Sequence, residues 1–560
     1  MSFCCWLYAV SFVVYVLPLA TLAEVKEISQ WPLVAEDQPK TIAIIGKIAS
    51  EYYDLKLTVL IYLGAGSAGA STAYYLRHYA NLFSIPINIT VFEQSSHVGG
   101  RSTTVNVFDD PSQPVELGAS IFVETNKNLV KAAKKFGLKI KGAGDDSPNE
   151  GADTMGVWDG SQFVFRQKNG MFRWWNILKI LKKYGWSPMR TQQLMKSTVH
   201  KLMKLYKWPY FPFRSLSEAV VSTGLGEATW STGAEFLKEN QISEEFSREI
   251  VQAGTRVNYG QNLPLIHGLE TIVCMATEGA VSIEGGNWQI FRAMLDASKA
   301  TLKLKTHVTE VFHNDDDTQT VVYTDPINNR TEDGTFDHVV IASPLQFSDI
   351  EISPPPQNPP DEIPYVDLHV TLFASPHKLS PGYFKLPSRF SAPEVVLTTL
   401  PKDLNIGARR DGVGPAGFWS ISTLKKVQVP KTSHSPITRR TQYLYKIFSP
   451  KRLTAGFLSE LLNVETLSKG ENSSIADIPD HHISWYHERL WQSYPYLYPR
   501  VTFEDIELAP KLWYTGGMES FVSTMETSSL AGMNVAGLIM SEWIENFDIK
   551  LRAYQVAHLT

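Results

Sequence analysis

Cysteine is nearly absent, with three in 560 residues: Cys4 and Cys5 lie in the apolar opening stretch and Cys274 stands alone beyond it. If that opening is removed, no pair remains for a disulfide, and stability has to come from a packed core and a bound ligand. Charge is sparse and nearly balanced, at 19% of residues and a net charge of −5, which excludes a general electrostatic footprint for nucleic acid. Residues 1–23 carry no acidic or basic side chain and end Leu-Ala-Thr-Leu-Ala before Glu24. That is the shape of a secretory signal peptide without its usual basic start, and a membrane anchor of ~20 apolar residues is the alternative. Also missing is any Ser-His-Asp or paired-carboxylate constellation. His481-His482 belongs to no carboxylate–histidine cluster, and adjacent histidines diverge on regular structure, so it reads as a solvated pair with no metal site.

What is present starts with size and apolar content. A chain of 560 residues with 43% apolar and 11% aromatic residues is too long for one core, and two interleaved domains are expected. The apolar run Leu57–Leu63 leads into Gly64-Ala-Gly66-Ser67-Ala-Gly69 and then a helical pattern. This is the strand–turn–helix that receives a dinucleotide pyrophosphate: Gly64 permits the tight turn, Gly66 lets backbone approach phosphate, and Gly69 lets helix pack on strand. The helix start, at Ser67, offers N–H groups and a positive dipole end to the anion. Ile87–Phe92 reads as the next parallel strand. It ends at Glu93, close to the ~20-residue separation expected of an acid that binds a ribose hydroxyl.

One stretch disturbs this reading. Thr41-Ile-Ala-Ile-Ile-Gly46 already looks like a first strand, and joining Gly46 directly to Ala65 would give a cleaner opening than either half. Residues 47–63 are therefore an anomalous insertion. Codons allowed at its two ends are compatible with a short unspliced intron; the alternative is a genuine insertion whose residues 57–63 form the strand.

Further along, Gly118-Ala119-Ser120 precedes a helix over 128–137, with Gly137 as its C-cap. Residues 171–213 contain no acid but carry Arg173, Lys179, Lys182, Lys183, Arg190, Lys196, Lys201, Lys204 and Lys207, interleaved with Trp174, Trp175, Trp186 and Trp208. Two helices with basic faces are expected here, either solvated over a core or in peripheral contact with a membrane. Leu302–Val311 alternates as one strand around Val308, 318–324 and 336–342 read as a hairpin, and the proline-rich run 353–364 marks a crossing between domains. Sequons begin at Asn88, Asn329 and Asn472; Asn88 is expected to be poorly accessible in a buried strand.

Glu93 is followed by Gly99-Gly100-Arg101-Ser102, and here the chain resembles the flavin amine-oxidase superfamily, where an acid and a Gly-Gly-Arg turn lie over pyrophosphate and flavin. The resemblance favours FAD over NAD. It also implies a flavin-edge position for Gly118, Ala119 and Ser120, backbone contact to adenine at Val308, and closure of the cofactor site by the terminal segment with Gly517-Met518-Glu519 and Met525-Glu526. Together with Met525-Glu526-Thr527-Ser528, the basic middle and the secretory opening, these motifs resemble the prenylcysteine oxidase family over most of the chain.

That resemblance implies an α/β fold: a Rossmann-type FAD-binding domain from 40–110, 265–345 and 505–560, interleaved with a mixed α+β substrate domain from 111–264 and 346–504. It further implies a lysosomal, vacuolar or secreted enzyme. Such an enzyme oxidises the thioether of farnesyl- or geranylgeranyl-cysteine with molecular oxygen, and releases cysteine, prenyl aldehyde and hydrogen peroxide. The residues alone reach a secretory-pathway flavin oxidoreductase and name no catalytic base. A flavin amine oxidase and a non-catalytic secreted lipid binder are the rival readings.

Overall fold

The computed structural model describes residues 58–148, 153–168, 180–325, 330–430 and 441–557. The opening stretch, Thr41–Gly46, residues 47–57, Trp174, Trp175 and Asn329 lie outside the described residues.

We label the elements that position the site β1 (Thr58–Leu63), α1 (Ser67–Leu82), β2 (Ile87–Glu93), β3 (Thr301–Leu304), β4 (His338–Ile341), β5 (Glu507–Ala509), β6 (Leu512–Tyr514) and α2 (Met525–Trp543). The six strands form one sheet in the order β5-β6-β4-β1-β2-β3, parallel except for the edge pair β5/β6. Apolar runs without polar alternation suit a parallel sheet covered on both faces, and all four residues of β4 are buried. Thr58–Leu63 holds the central slot: Leu60 pairs with His338 on one side and Ile89 on the other.

Helix α1 packs lengthwise against α2, and Gly532 sets their separation. A Cβ at Gly532 would sit 2.3 Å from the Ala68 carbonyl oxygen, an overpacking cost of about 1–3 kcal/mol. Although α2 is apolar nearly all round, its residues are buried in protein. Among the described residues no helix is long and apolar enough to cross a membrane.

A seven-stranded sheet runs in the order Trp485–Pro495, Tyr365–Ser375, Thr441–Ser449, Ser420–Gln428, Val395–Thr398, Asp153–Trp158, Phe163–Lys168. Its neighbours are antiparallel except where Val395–Thr398 meets Asp153–Trp158. Of the helices between residues 187 and 273, Gln252–Tyr259 packs on it, and several of the group have side-chain caps. Thr232 and Glu235 form a reciprocal capping box on Gly233–Glu239, which satisfies two otherwise orphaned N–H groups.

Three expectations are corrected. The strand expected over 302–311 is two strands, Thr301–Leu304 in the six-stranded sheet and His307–His313 in a separate four-stranded sheet, because the chain turns at Lys305 with φ of 56°. The hairpin pairs Gln319–Asp325 with Arg330–Phe336, while His338–Ile341 is a strand of the parallel sheet. Asn88 is exposed although Ile87 and Ile89 on either side are buried; strand alternation turns its side chain outward near the strand's start.

Candidate functional site

A single cavity of about 1580 Å³ runs from the β1–α1 turn to the seven-stranded sheet. At one end Gly64, Gly66, Ser67, Glu93, Gly100, Arg101 and Ser102 line it. Gly64 has φ of 119°, which a side chain rarely adopts. The two glycine turns meet almost Cα to Cα: a Cβ on Gly100 would lie 3.4 Å from the Gly66 Cα, so neither turn obstructs a backbone-lined cradle. Gly69 does not line the cavity. Its Cβ would fall 1.9 Å from the Gly64 carbonyl oxygen, so its role is to let α1 begin directly under the turn.

Several side chains are already engaged. Ser67 Oγ donates to the Met525 carbonyl at 2.6 Å, which ties α1 to α2, so that a phosphate at this helix start would meet backbone N–H and not the hydroxyl. The Glu93 carboxylate accepts from Ala65 N at 2.7 Å and Ser95 N at 2.8 Å, so it braces the glycine turn from the end of β2. Ser102 Oγ is buried on the wall without a hydrogen-bond partner. An orphaned hydroxyl and an unobstructed glycine cradle fit a phosphate-bearing dinucleotide. Thr306 N donates to the Glu93 carbonyl at 3.0 Å, which carries neighbouring Val308 to the same end of the cavity.

The Arg101 fork is turned elsewhere than onto a phosphate. It pairs with Glu519, and its Nη1 donates to the Ser493 carbonyl at 2.6 Å. Burial acts against its charge, but Glu519 overrides burial and leaves the guanidinium pKa raised. Tyr365 donates its hydroxyl to the other Glu519 oxygen at 3.1 Å. Glu526 is also fully used: it accepts from Asn128 N at 2.9 Å, Leu129 N at 3.0 Å and Tyr206 Oη at 2.8 Å. It thus caps the helix Lys127–Lys135 from a distant part of the chain. Burial pushes its pKa up to about 7 against those three donors.

Gly118, Ala119 and Ser120 line the middle of the cavity. Their turn is locked to Gly285-Gly286-Asn287, since Asn287 Nδ2 donates to the Ala119 carbonyl at 2.8 Å and Asn287 N to Glu116 at 2.6 Å. Sequence reasoning missed Lys446 here. It is buried on the cavity wall, and its Nζ donates to Ser120 Oγ at 2.8 Å and to the Glu116 carbonyl oxygen at 2.9 Å. Burial lowers the lysine pKa and raises that of Glu116, while each charge favours the other. The available signal was a lysine inside the apolar strand Thr441–Ser449.

Leu129, Met155, Val199, Leu202, Met203 and Leu397 give the cavity apolar lining. Tyr259 and Tyr494 also line the cavity, meeting edge to face at 5.1 Å between centroids. Behind them burial pushes Glu270 up to about 7, against the Tyr259 hydroxyl and the Ser523 N–H that hold it down. His482 Nδ1 lies 2.9 Å from His377 Nε2, and no group of three metal-ligating side chains occurs among the described residues.

The parallel sheet, glycine cradle and C-terminal closing helix define a dinucleotide-binding α/β oxidoreductase fold. Residues 63–136 match the NAD(P)-binding Rossmann-like domain. Residues 167–550 match the prenylcysteine lyase family model, and the chain belongs to that family. It is 29% identical to the farnesylcysteine lyase of Arabidopsis thaliana, over 91% of this chain and 90% of that one. It is 28% identical to human prenylcysteine oxidase 1, over 87% and 90% of the two chains. The fold is shared with a putrescine oxidase structure bound to putrescine, at a TM-score of 0.52, 12% identity and coverage of 87% and 99%.

Proposed function

We propose that the protein is an FAD-dependent thioether oxidase that cleaves prenylcysteine, with molecular oxygen and water as co-reactants, to cysteine, prenyl aldehyde and hydrogen peroxide. The observation that carries the reading is the continuity of one cavity from the glycine cradle to the apolar wall of Leu129, Val199, Leu202 and Met203. When bound, FAD supplies the two-electron acceptor and molecular oxygen restores it. The protein's own part is to hold the dinucleotide with the Gly66, Gly100 and Ser102 surface and to sequester a long apolar group from water. Lys446 keeps a proton-bearing group beside the Gly118–Ser120 turn. Such positioning replaces a catalytic triad when the cofactor does the difficult step.

A flavin amine oxidase is the second reading, since Tyr259 and Tyr494 line the cavity and meet edge to face at 5.1 Å between centroids.

The test is incubation of flavin-loaded protein with farnesylcysteine and, separately, with alkylamines. Equal release of free cysteine, farnesal and peroxide is expected from the first and no aldehyde from the second. Turnover of amines alone, or no flavin absorbance in the purified protein, would overturn the assignment. We further propose passage through the secretory pathway to a lysosomal or vacuolar compartment or outside the cell, supported by the apolar opening and the exposed sequon residues Asn88 and Asn472.

A further inference from the structure

The helix Lys127–Lys135 and the segment 196–208 come together beside the cavity, and both bring lysines. Lys127 Nζ lies 5.5 Å above the Tyr206 ring. Lys207 is near enough to depress the Lys127 pKa, second only to burial. Lys131 and Lys135 do the same to His78, again after burial. Past Lys207, Trp208 keeps 46% of its surface exposed and has the Arg552 guanidinium 4.3 Å above its ring. Ile549, on the same helix face one turn before Arg552, is 59% exposed. Among the described residues Lys127, Lys131, Lys134, Lys204, Lys207 and Arg552 form no ion pair with a carboxylate.

Clustered cations outside any ion pair, set around an exposed indole and an exposed isoleucine, match the chemistry of a bilayer surface. Rings settle at headgroup depth, and ammonium and guanidinium groups meet anionic lipid while their stems lie in the apolar boundary. A face that served only solubility would have no reason to present Trp208 and Ile549 among the charges. The other side of the same segment is cavity wall, through Val199, Leu202, Met203 and Tyr206.

We propose that the face formed by Lys127, Lys131, Lys204, Lys207, Trp208 and Arg552 docks on an anionic membrane surface. Docking stands independently of the substrate. Its use, to bring the apolar cavity wall to the lipid phase from which a prenylated amphiphile partitions, rests on the proposed function.

The experiment sediments the full-length protein with vesicles of phosphatidylcholine alone or mixed with phosphatidylserine. Wild type is expected to bind the mixed vesicles, to release at high salt, and to ignore the neutral ones. Lys131→Glu with Lys207→Glu, neither of which lines the cavity, is expected to weaken binding more than tenfold. Trp208→Ala is expected to weaken binding without changing its salt dependence. Both variants should turn over dissolved farnesylcysteine at the wild-type rate and lose rate only when it is presented in anionic vesicles. Wild type that fails to sediment with anionic vesicles, or a charge-reversed form that binds as well, would overturn the proposal. So would retention on single-stranded DNA with none on vesicles, which would assign the face to nucleic acid. Because binding is read without turnover, a protein that docks yet leaves farnesylcysteine intact would defeat the proposed function and not the docking.

Discussion

Arg101 and Glu519, separated by 418 positions in the chain, are ion-paired on the cavity wall. Through them the Gly-Gly-Arg turn and the C-terminal segment close on each other, with Ser493 and Tyr365 from the seven-stranded sheet completing the contact. Glu519→Gln leaves the guanidinium a neutral partner. Since the Arg101 side chain keeps 37% of its surface exposed, solvent screening limits the loss to about 1–2 kcal/mol. Denaturant unfolding is expected to show that loss, and visible absorbance a lower flavin content after dialysis. A variant unchanged in both would mean that the pair does not hold the site closed.

The three glycines of the first turn differ in what they protect. A Cβ on Gly66 meets nothing closer than 3.9 Å, and its φ of −77° suits any residue. Gly66→Val is therefore expected to fold, with wild-type circular dichroism, and to lose FAD because the branched side chain fills the phosphate space. Gly69→Ala places its methyl 1.9 Å from the Gly64 carbonyl and is expected to lower the yield of folded protein itself. Stoichiometric flavin in Gly66→Val would remove the turn from the cofactor site.

The contribution of Glu270 to stability is expected to fall as pH rises from about 4.5 to about 7, while His267, lowered to about 4 by burial, acts in the opposite direction. Glu270 is an acid whose pKa in the fold is pushed up to about 7 from 4.5 by burial. Across that window the fold holds a Glu270 proton that the unfolded chain has released, so this group by itself drives the slope of stability against pH downward. Glu270→Gln should make the slope more positive than in wild type, measured as thermal midpoint at several pH values. An identical slope in the variant would show that Glu270 titrates alike in both states.

Residues 47–63 can be tested by removal. Deleting residues 47–64 places Thr41–Gly46 in line with Ala65, which offers the central slot of the sheet another apolar run ending in glycine. If the insertion is retained intron, the deletion form is expected to give more soluble protein and to melt higher in added FAD. Ligand contributes about 3 kcal/mol at a hundredfold excess over its dissociation constant. Loss of FAD in the deletion form, with full-length protein loading normally, would show that Thr58–Leu63 is the required strand. Transcript sequencing across the region gives an independent answer.

Expressed through a secretory host, the chain is expected to carry glycans at Asn88 and Asn472, whose side chains are exposed. Endoglycosidase treatment should shift the band, and Asn88→Gln should remove one step of that shift. A chain without glycan at either position would count against passage through that pathway.

The parts of the site legible in the sequence were those whose cause is local. Gly64 and Gly100 are demanded by their positive φ and Gly69 by the closeness of the Gly64 carbonyl, Gly66 was legible from the motif spacing, and a β-branched run ending in Glu93 announces a strand by composition alone. The partner of each charged group was not legible, because pairing is decided by which distant segments the fold brings together. Arg101 meets Glu519 rather than presenting its fork to the cradle, and Glu526 caps the helix at Asn128 and Leu129 across nearly the whole chain. Lys446 beside Ser120 and Glu270 behind Tyr259 became candidates only through burial. The choice of Thr58–Leu63 as the central strand was open for the same reason: two similar apolar runs satisfy the same local rule, and only the register against His338–Ile341 and Ile87–Glu93 distinguishes the one that is used.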